Sequence, residues 1–188
     1  MRCHTCGKLS LSLICRVCRS LYLQPQPHIR KLKSGLEVIS FYSYDELEPL
    51  LLTKHLPHGW AIYRILAIEA FKRVAKVTHP IFAIPVDDNA SDGYSHTALL
   101  ARGLQRYGYQ PLYNSLRAKN SVSYAGKPLA FRLKNPRDFH YTGAKNIDAV
   151  LVDDIVTTGL TLQEAHRVLM RHGVNVLGAF VLADVDRK

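Results

Sequence analysis

Residues 149–161 read AVLVDDIVTTGLT, so an apolar run meets two adjacent carboxylates, Asp153 and Asp154, and a hydroxyl-rich turn follows. Leu162, Ala165, Val168 and Leu169 then recur at helical spacing, and Gly173 offers a C-cap. The spacing predicts a buried strand over 147–152 that ends at the carboxylates, then a loop, then a helix that opens at the turn. Backbone N–H groups of Thr157, Thr158, Gly159 and Leu160 can converge on a phosphate there, helped by the helix dipole. Gly159 lets the backbone come close, and Thr158 and Thr161 supply hydroxyls. One loop away, Asp153 and Asp154 can accept hydrogen bonds from a ribose diol or hold a hydrated Mg²⁺. The combination is the chemistry of a ribose 5-phosphate site. A plainer reading of the same residues is a strand ending in an Asp-Asp turn, with threonines capping the next helix.

A second set of chemically capable residues stands at the N-terminus, where Cys3, Cys6, Cys15 and Cys18 form two CxxC pairs separated by a short spacer. Each pair can grip a tetrahedral ion from a tight turn, and four thiolates close its coordination sphere, so the expectation is a structural Zn²⁺. Disulfides and an iron–sulfur site are the alternatives; a reducing compartment disfavours the first, and nothing nearby suggests redox chemistry for the second.

The elements that must position these groups follow from the periodicity. At 188 residues and 47% hydrophobic, the chain can bury one α/β core plus a small appendage. The appendage is residues 1–22, the QPQP run at 24–27 is a short stiff linker, and residues 23–188 form the main domain. Strands are expected over 37–42, 81–86 and 111–116, a helix or turn over 44–54, and helices over 60–77 and 95–107, the last stopped by Gly108. Strand alternating with helix implies a parallel sheet with helices on both faces. Ligands of such sheets bind beyond the carboxyl ends of the strands, where Asp153 and Asp154 fall. Residues 117–145 show no sustained periodicity and mix cations with aromatics, which marks a long loop that is either functional or mobile.

No apolar run is long enough to span a bilayer, and the expected setting is the cytoplasm. The formal net charge of +10 points toward polyanions. Lys and Arg that track phosphates, interleaved with stacking Tyr or Phe, suit single-stranded DNA. The candidate contacts are Arg16 and Arg19 in the cysteine module, the run Arg30, Lys31 and Lys33, and Lys119, Lys127 and Lys134 in the long loop. Any one of these cations is equally at home on a solvated basic face. No helix-turn-helix reader and no Ser-His-Asp or Cys-His set is apparent.

The 149–161 run resembles the phosphoribosyl-pyrophosphate motif of type I phosphoribosyltransferases. Together with the four cysteines, Phe41, Tyr42 and Tyr44, the stretch Leu50 to Lys54, Ile84-Pro85-Val86, Leu116-Arg117, and Arg132, Asn135 and Phe139, it resembles the ComF family of bacterial natural competence over essentially the whole chain. The resemblance implies a type I phosphoribosyltransferase-like parallel-sheet domain behind a zinc module, and phosphoribosyl pyrophosphate bound with Mg²⁺. The ligand residues it implies are Val152, Asp153, Asp154, Ile155, Val156, Thr157, Thr158, Gly159, Leu160 and Thr161, with Pro85, Val86 and Asp87 on the pyrophosphate side. Asp153 and Asp154 would be catalytic if transfer occurs, by stabilising an oxocarbenium-like sugar. It further implies a role in handling transforming single-stranded DNA, partnership with the competence helicase ComFA and the mediator DprA, and a place at the inner face of the membrane through them. The alternative is an active phosphoribosyltransferase acting on a nucleobase or related acceptor, with no DNA role. The chain departs from the family after the strand ending in Pro85: the segment Asp87-Asp88-Asn89, with two carboxylates, is acidic where the family is basic, and 92–96 (DGYSH) replaces R-G-F-N-Q. Carboxylates there need a metal between them and a pyrophosphate.

Overall fold

The computed structural model describes residues 1–87, 90, 93–120 and 129–187. Lys127, Asp88, Asn89 and Asp92, singled out above, lie outside the described residues.

Six strands form one sheet in the order β1-β2-β8-β7-β3-β4: β1 (His28–Lys31), β2 (Glu37–Ser43), β3 (Phe82–Pro85), β4 (Gln110–Pro111), β7 (Asp148–Val156) and β8 (Asn175–Asp184). Every pairing is parallel except β1 on β2, which closes an antiparallel hairpin at one edge. The α/β class with a mostly parallel sheet is therefore as the sequence implied. Its central strands are continuous apolar runs because both faces are covered. One face carries α1 (Arg16–Tyr22), α2 (Tyr44–Leu51), α3 (Gly59–Ala70) and α4 (His96–Gly103), whose Leu47, Ile62, Tyr63, Leu66 and Leu100 are buried with Val150, Val152 and Phe180 of the sheet. The other face carries α6 (Leu160–Arg171) and a two-stranded sheet of β5 (Leu116–Ala118) with β6 (Phe139–Tyr141). There Leu162, Ala165 and Leu169 pack with Leu116, Phe139, Tyr141 and Leu151.

Three expected elements shift, each for a local reason. The helix expected over 60–77 ends at Ala70, with a short 3₁₀ turn at Phe71–Arg73, because Val74 is extended and the Val77 N–H donates to the Tyr107 carbonyl, tying this stretch to the end of the α4 segment. The strand expected over 111–116 is instead β4, since Asn114 takes φ +56° and the Ser115 hydroxyl donates to the Leu112 carbonyl, so the chain turns before β5. The loop expected over 117–145 contains β5, β6 and α5 (Leu129–Lys134).

The cysteine segment is not a free-standing bead. Buried Cys3, Ile14, Cys18 and Leu23 belong to the same apolar cluster as Phe41, Tyr63 and Phe71, and the Arg19 guanidinium lies 2.7 Å from the buried Glu69 carboxylate of α3. No helix among the described residues is long and apolar enough to cross a membrane.

Candidate functional site

β7 does not stop at the carboxylates. Its pairing with β8 continues through Asp153↔Val181, Ile155↔Ala183 and Val156↔Asp184, so Asp153 and Asp154 stand inside the strand rather than one loop away from it. Successive side chains of a strand point to opposite faces, and the two carboxylates therefore have different surroundings.

Asp154 is buried on the α3/α4 face. Lys54 Nζ lies 3.0 Å from its Oδ2, Tyr63 Oη donates to the same oxygen at 3.2 Å, and His96 Nε2 is 3.6 Å away. Burial opposes ionisation of Asp154, but His96, the Lys54 ammonium and the Tyr63 hydroxyl outweigh it and hold its pKa below the usual carboxylate range. The Lys54 pKa is raised: burial would lower it, and Asp154 more than compensates. Burial lowers the His96 pKa despite the carboxylate beside it. None of these three partners is a group that the motif alone would name. Lys54 comes from the 3₁₀ turn Leu52–His55 after α2, Tyr63 from the middle of α3, and His96 from the first turn of α4.

Asp153 is half-buried on the other face; its Oδ1 accepts the Asp154 N–H at 2.8 Å, while its Oδ2 has no hydrogen bond among the described residues. Burial, followed by the neighbouring Asp154 charge, pushes its pKa well above the usual range, and the Arg137 charge works against this. A carboxylate so placed is costly to keep charged unless a cation or a set of donors arrives.

Past Val156 the chain turns through Thr157 and Thr158 into Gly159, which takes φ +74° as the N-cap of α6. A side chain at Gly159 would be doubly opposed, by that backbone conformation and by Leu32, whose Cδ2 would stand 2.6 Å from the added carbon. The first-turn N–H groups of α6 have no upstream helical carbonyls and face outward with the positive end of the dipole. Thr158 is exposed and Thr161 half-buried, whereas Val152 and Val156 are buried in the sheet and shape the strand. The β1–β2 hairpin braces this turn: Arg30 Nη2 donates to the Thr157 carbonyl at 2.7 Å, Arg30 Nε lies 3.2 Å from Asp184, and Arg30 also pairs with Asp186.

Pro85 and Val86 are buried at the end of β3, and the Val86 N–H donates to the Val152 carbonyl, which sets the two strand ends side by side. Asp87 follows with φ +51°; its Oδ1 accepts the Ala118 N–H at 3.1 Å and its Oδ2 accepts from Arg137 at 2.7 Å. Glu164 of α6 accepts the N–H groups of Arg137 and Asp138 at 3.1 and 2.7 Å. Two carboxylates thus pin the β5–β6 sheet beside the strand ends. Arg137 and Glu164 are residues that sequence reasoning did not assign to the site.

The four cysteine Sγ atoms lie within 4.8 Å of one another. Cys6 and Cys15 are 3.9 Å apart, close to the edge of about 3.8 Å that Zn–S bonds of about 2.3 Å give a tetrahedron. Burial pushes the Cys18 thiol up to about 12. For Cys3 burial acts in the same sense, but the Cys15 N–H donated to its sulfur, with other backbone donors, brings it to about 6. The donor set fits a tetrahedral, thiophilic ion such as zinc.

Of the cations expected to meet nucleic acid, Arg16, Lys31, Lys33 and Lys134 are exposed. Arg19 and Arg30 are ion-paired inward as described, and Lys119 Nζ is 3.5 Å from Asp138.

A model of the phosphoribosyl transferase domain matches residues 141–188, from the end of β6 through β7, α6 and β8. Among solved structures, the chain is similar to an orotate phosphoribosyltransferase from Aeropyrum pernix, with 18% sequence identity and a TM-score of 0.38 over 88% of this chain and 78% of that one. No curated protein matches. The matched stretch holds both carboxylates, the Thr157–Thr158–Gly159 turn and the start of α6, so the part of the chain that resembles a phosphoribosyl transferase domain is also the part whose geometry is suited to a phosphorylated ribose.

Proposed function

We propose that this chain binds phosphoribosyl pyrophosphate with Mg²⁺ at the carboxyl end of β7, and that it handles single-stranded DNA in natural transformation. The observation that carries the ligand part is the junction itself: a buried parallel strand bearing Asp153, a hydroxyl turn with a left-handed Gly159, and the amino end of a twelve-residue helix. The 5-phosphate takes the N–H groups and hydroxyls of 157–161. Asp153 takes the ribose hydroxyls or Mg²⁺, an ion that prefers one or two carboxylates together with ligand phosphates and several waters. Asp154 holds Lys54 and so fixes the floor of the site. The cysteine cluster takes Zn²⁺ as a structural ion. For DNA, the support is the net charge of +10 and the exposed cations Arg16, Lys31, Lys33 and Lys134, which have no ion-pair partner among the described residues. ComFA and DprA are the partners that the family resemblance implies.

Titration calorimetry with phosphoribosyl pyrophosphate and Mg²⁺ tests the ligand. Wild type should bind, Asp153→Asn should bind roughly tenfold more weakly, and the exposed control Asp45→Asn should match wild type. A silent wild-type titration, or an Asp153→Asn curve that overlays it, would overturn the assignment. Pyrophosphate release on adding a nucleobase would instead favour the transferase alternative.

A further inference from the structure

The helical face opposite α6 carries a continuous groove that the ligand site does not use. It has three joined segments of about 490, 420 and 450 Å³. The first lies between the cysteine segment and α3, the second between α3 and α4, and the third along α4 toward Tyr94 and Tyr113. Trp60, Arg64 and Ile68 line both the first and the second; Leu99, Arg102 and Gln105 line both the second and the third.

Its chemistry is one-sided. No aspartate or glutamate lines any segment among the described residues. Trp60 is 47% exposed on the first turn of α3, and Arg64 follows one helical turn later on the same face. Arg102 and Arg106 repeat that spacing across the groove, and all three arginines are exposed with no carboxylate partner among the described residues. The two helices cross closely because Gly103 packs on Ala67, where an added carbon would stand 2.8 Å from the Ala67 methyl, and Arg64 shares the groove between them with Arg102 and Arg106. A half-exposed indole over an apolar floor, flanked by three exposed guanidiniums with no carboxylate beside them among the described residues, offers stacking and phosphate contacts to an anionic, partly aromatic polymer.

We infer that this groove is the track for single-stranded nucleic acid, with Trp60 stacking on a base and Arg64, Arg102 and Arg106 following the phosphates. The inference rests on the DNA-handling part of the proposed function and names its surface, one distinct from Arg16 and the β1–β2 hairpin; Arg19 of the cysteine module lines the first segment but is ion-paired with Glu69. The track also has a direction. Its third segment ends at Tyr94, whose hydroxyl donates to the carbonyl of Lys54, the residue ion-paired with Asp154. A strand laid along the groove is therefore led to the edge of the ligand site.

Trp60 is the only tryptophan, so its fluorescence reports the groove directly. The experiment titrates the full chain with a dye-labelled oligothymidylate, reading anisotropy for binding and Trp60 emission for stacking, over a range of salt. Wild type should bind with Trp60 quenched. Trp60→Ala should lose about tenfold in affinity at fixed salt with an unchanged salt slope. The triple change Arg64→Ala, Arg102→Ala, Arg106→Ala should flatten the log–log salt slope by about 2, at about 0.7 per lost contact. The corresponding triple Lys variant keeps charge without disturbing the fold and should restore most of that slope. Anisotropy that rises without Trp60 quenching, and an unchanged slope in the Ala triple, would overturn the groove and return DNA to Arg16, Lys31 and Lys33. No binding at low salt would overturn both the groove and the DNA reading, with phosphoribosyl pyrophosphate binding unaffected. Equal affinity for polyglutamate with the same quenching would assign the groove to an acidic protein partner and overturn the inference.

Discussion

Lys54 and Asp154, a hundred residues apart in sequence, meet with Nζ 3.0 Å from Oδ2 beneath the carboxyl ends of the sheet. Both members are largely buried, at 24% and 9% side-chain exposure, and Tyr63 reinforces the carboxylate. A pair of this kind is best regarded as a positioning device, because its net worth against an apolar pair is small while breaking it is costly.

Removing one partner should therefore be severe. We expect Lys54→Met to destabilise the chain by about 3 kcal/mol, which for a protein of this size lowers the melting temperature by about 6–12 °C. Asp154→Asn should cost less, because an amide can still accept from Tyr63 and Lys54 loses only its charge partner. Thermal melts of the two variants check this, and a Lys54→Met variant as stable as wild type would show that the pair carries no structural load.

The cysteine cluster shares the main apolar cluster through Cys3, Ile14, Cys18 and Leu23. Loss of metal is thus expected to weaken the whole chain instead of merely fraying residues 1–22. Cys6→Ser, the most exposed of the four cysteines, should abolish stoichiometric zinc and lower the single melting transition by several degrees. Metal analysis with calorimetry tests it; unchanged melting after complete zinc loss would separate the module from the core.

What was legible in sequence was whatever a local pattern encodes. The apolar run before Asp153 and the helical spacing after Thr161 announced β7 and α6, and paired CxxC turns announced the cluster. Residues brought in from afar were not legible. Tyr63 lies inside an expected helix with nothing to mark it, Lys54 stands only at the end of the Leu50–Lys54 stretch of the resemblance, and His96 in a departure from a family motif, because their roles exist only once α2, α3 and α4 pack on one face. The end of β7 was misjudged for a related reason: carboxylates look like a strand terminator until β8 is seen pairing beyond them to Val156↔Asp184. Arg30 and Arg19 stand in the sequence as candidate nucleic-acid contacts because nothing local reveals Asp184, Asp186 or Glu69 waiting for them.

Gly159 faces two constraints at once, φ +74° and the Leu32 side chain. Gly159→Ala should cost about 1–2 kcal/mol for the left-handed backbone, plus about 1–3 kcal/mol for overpacking. Adding Leu32→Ala should recover the packing share and leave the backbone share, so the double variant is expected to be more stable than the sum of its singles implies. Chemical denaturation of the four proteins gives the coupling; simple additivity would mean that Leu32 yields without cost.

The His96 ring sits among Asp154, Lys54, His55 and Asp87, and burial sets its pKa below the ordinary value of about 6.5. The folded state then binds fewer protons at this site than the unfolded chain once the pH drops below about 6.5, so His96 contributes stability above that pH and loses it on acidification. His166, lowered by burial on α6, acts with the same sign. Asp153, whose pKa is raised, acts with the opposite sign, since protonation relieves a charge that the fold disfavours. Asp154 adds its own loss only below about 3.9, as its carboxylate protonates. The difference between wild type and His96→Asn isolates the histidine: that difference should shrink or reverse as the pH falls from 7 to 5, because only wild type must there pay to keep a buried imidazole neutral. Melting temperatures across that range decide it, and two parallel curves would show that His96 titrates in the fold as it does in the open chain.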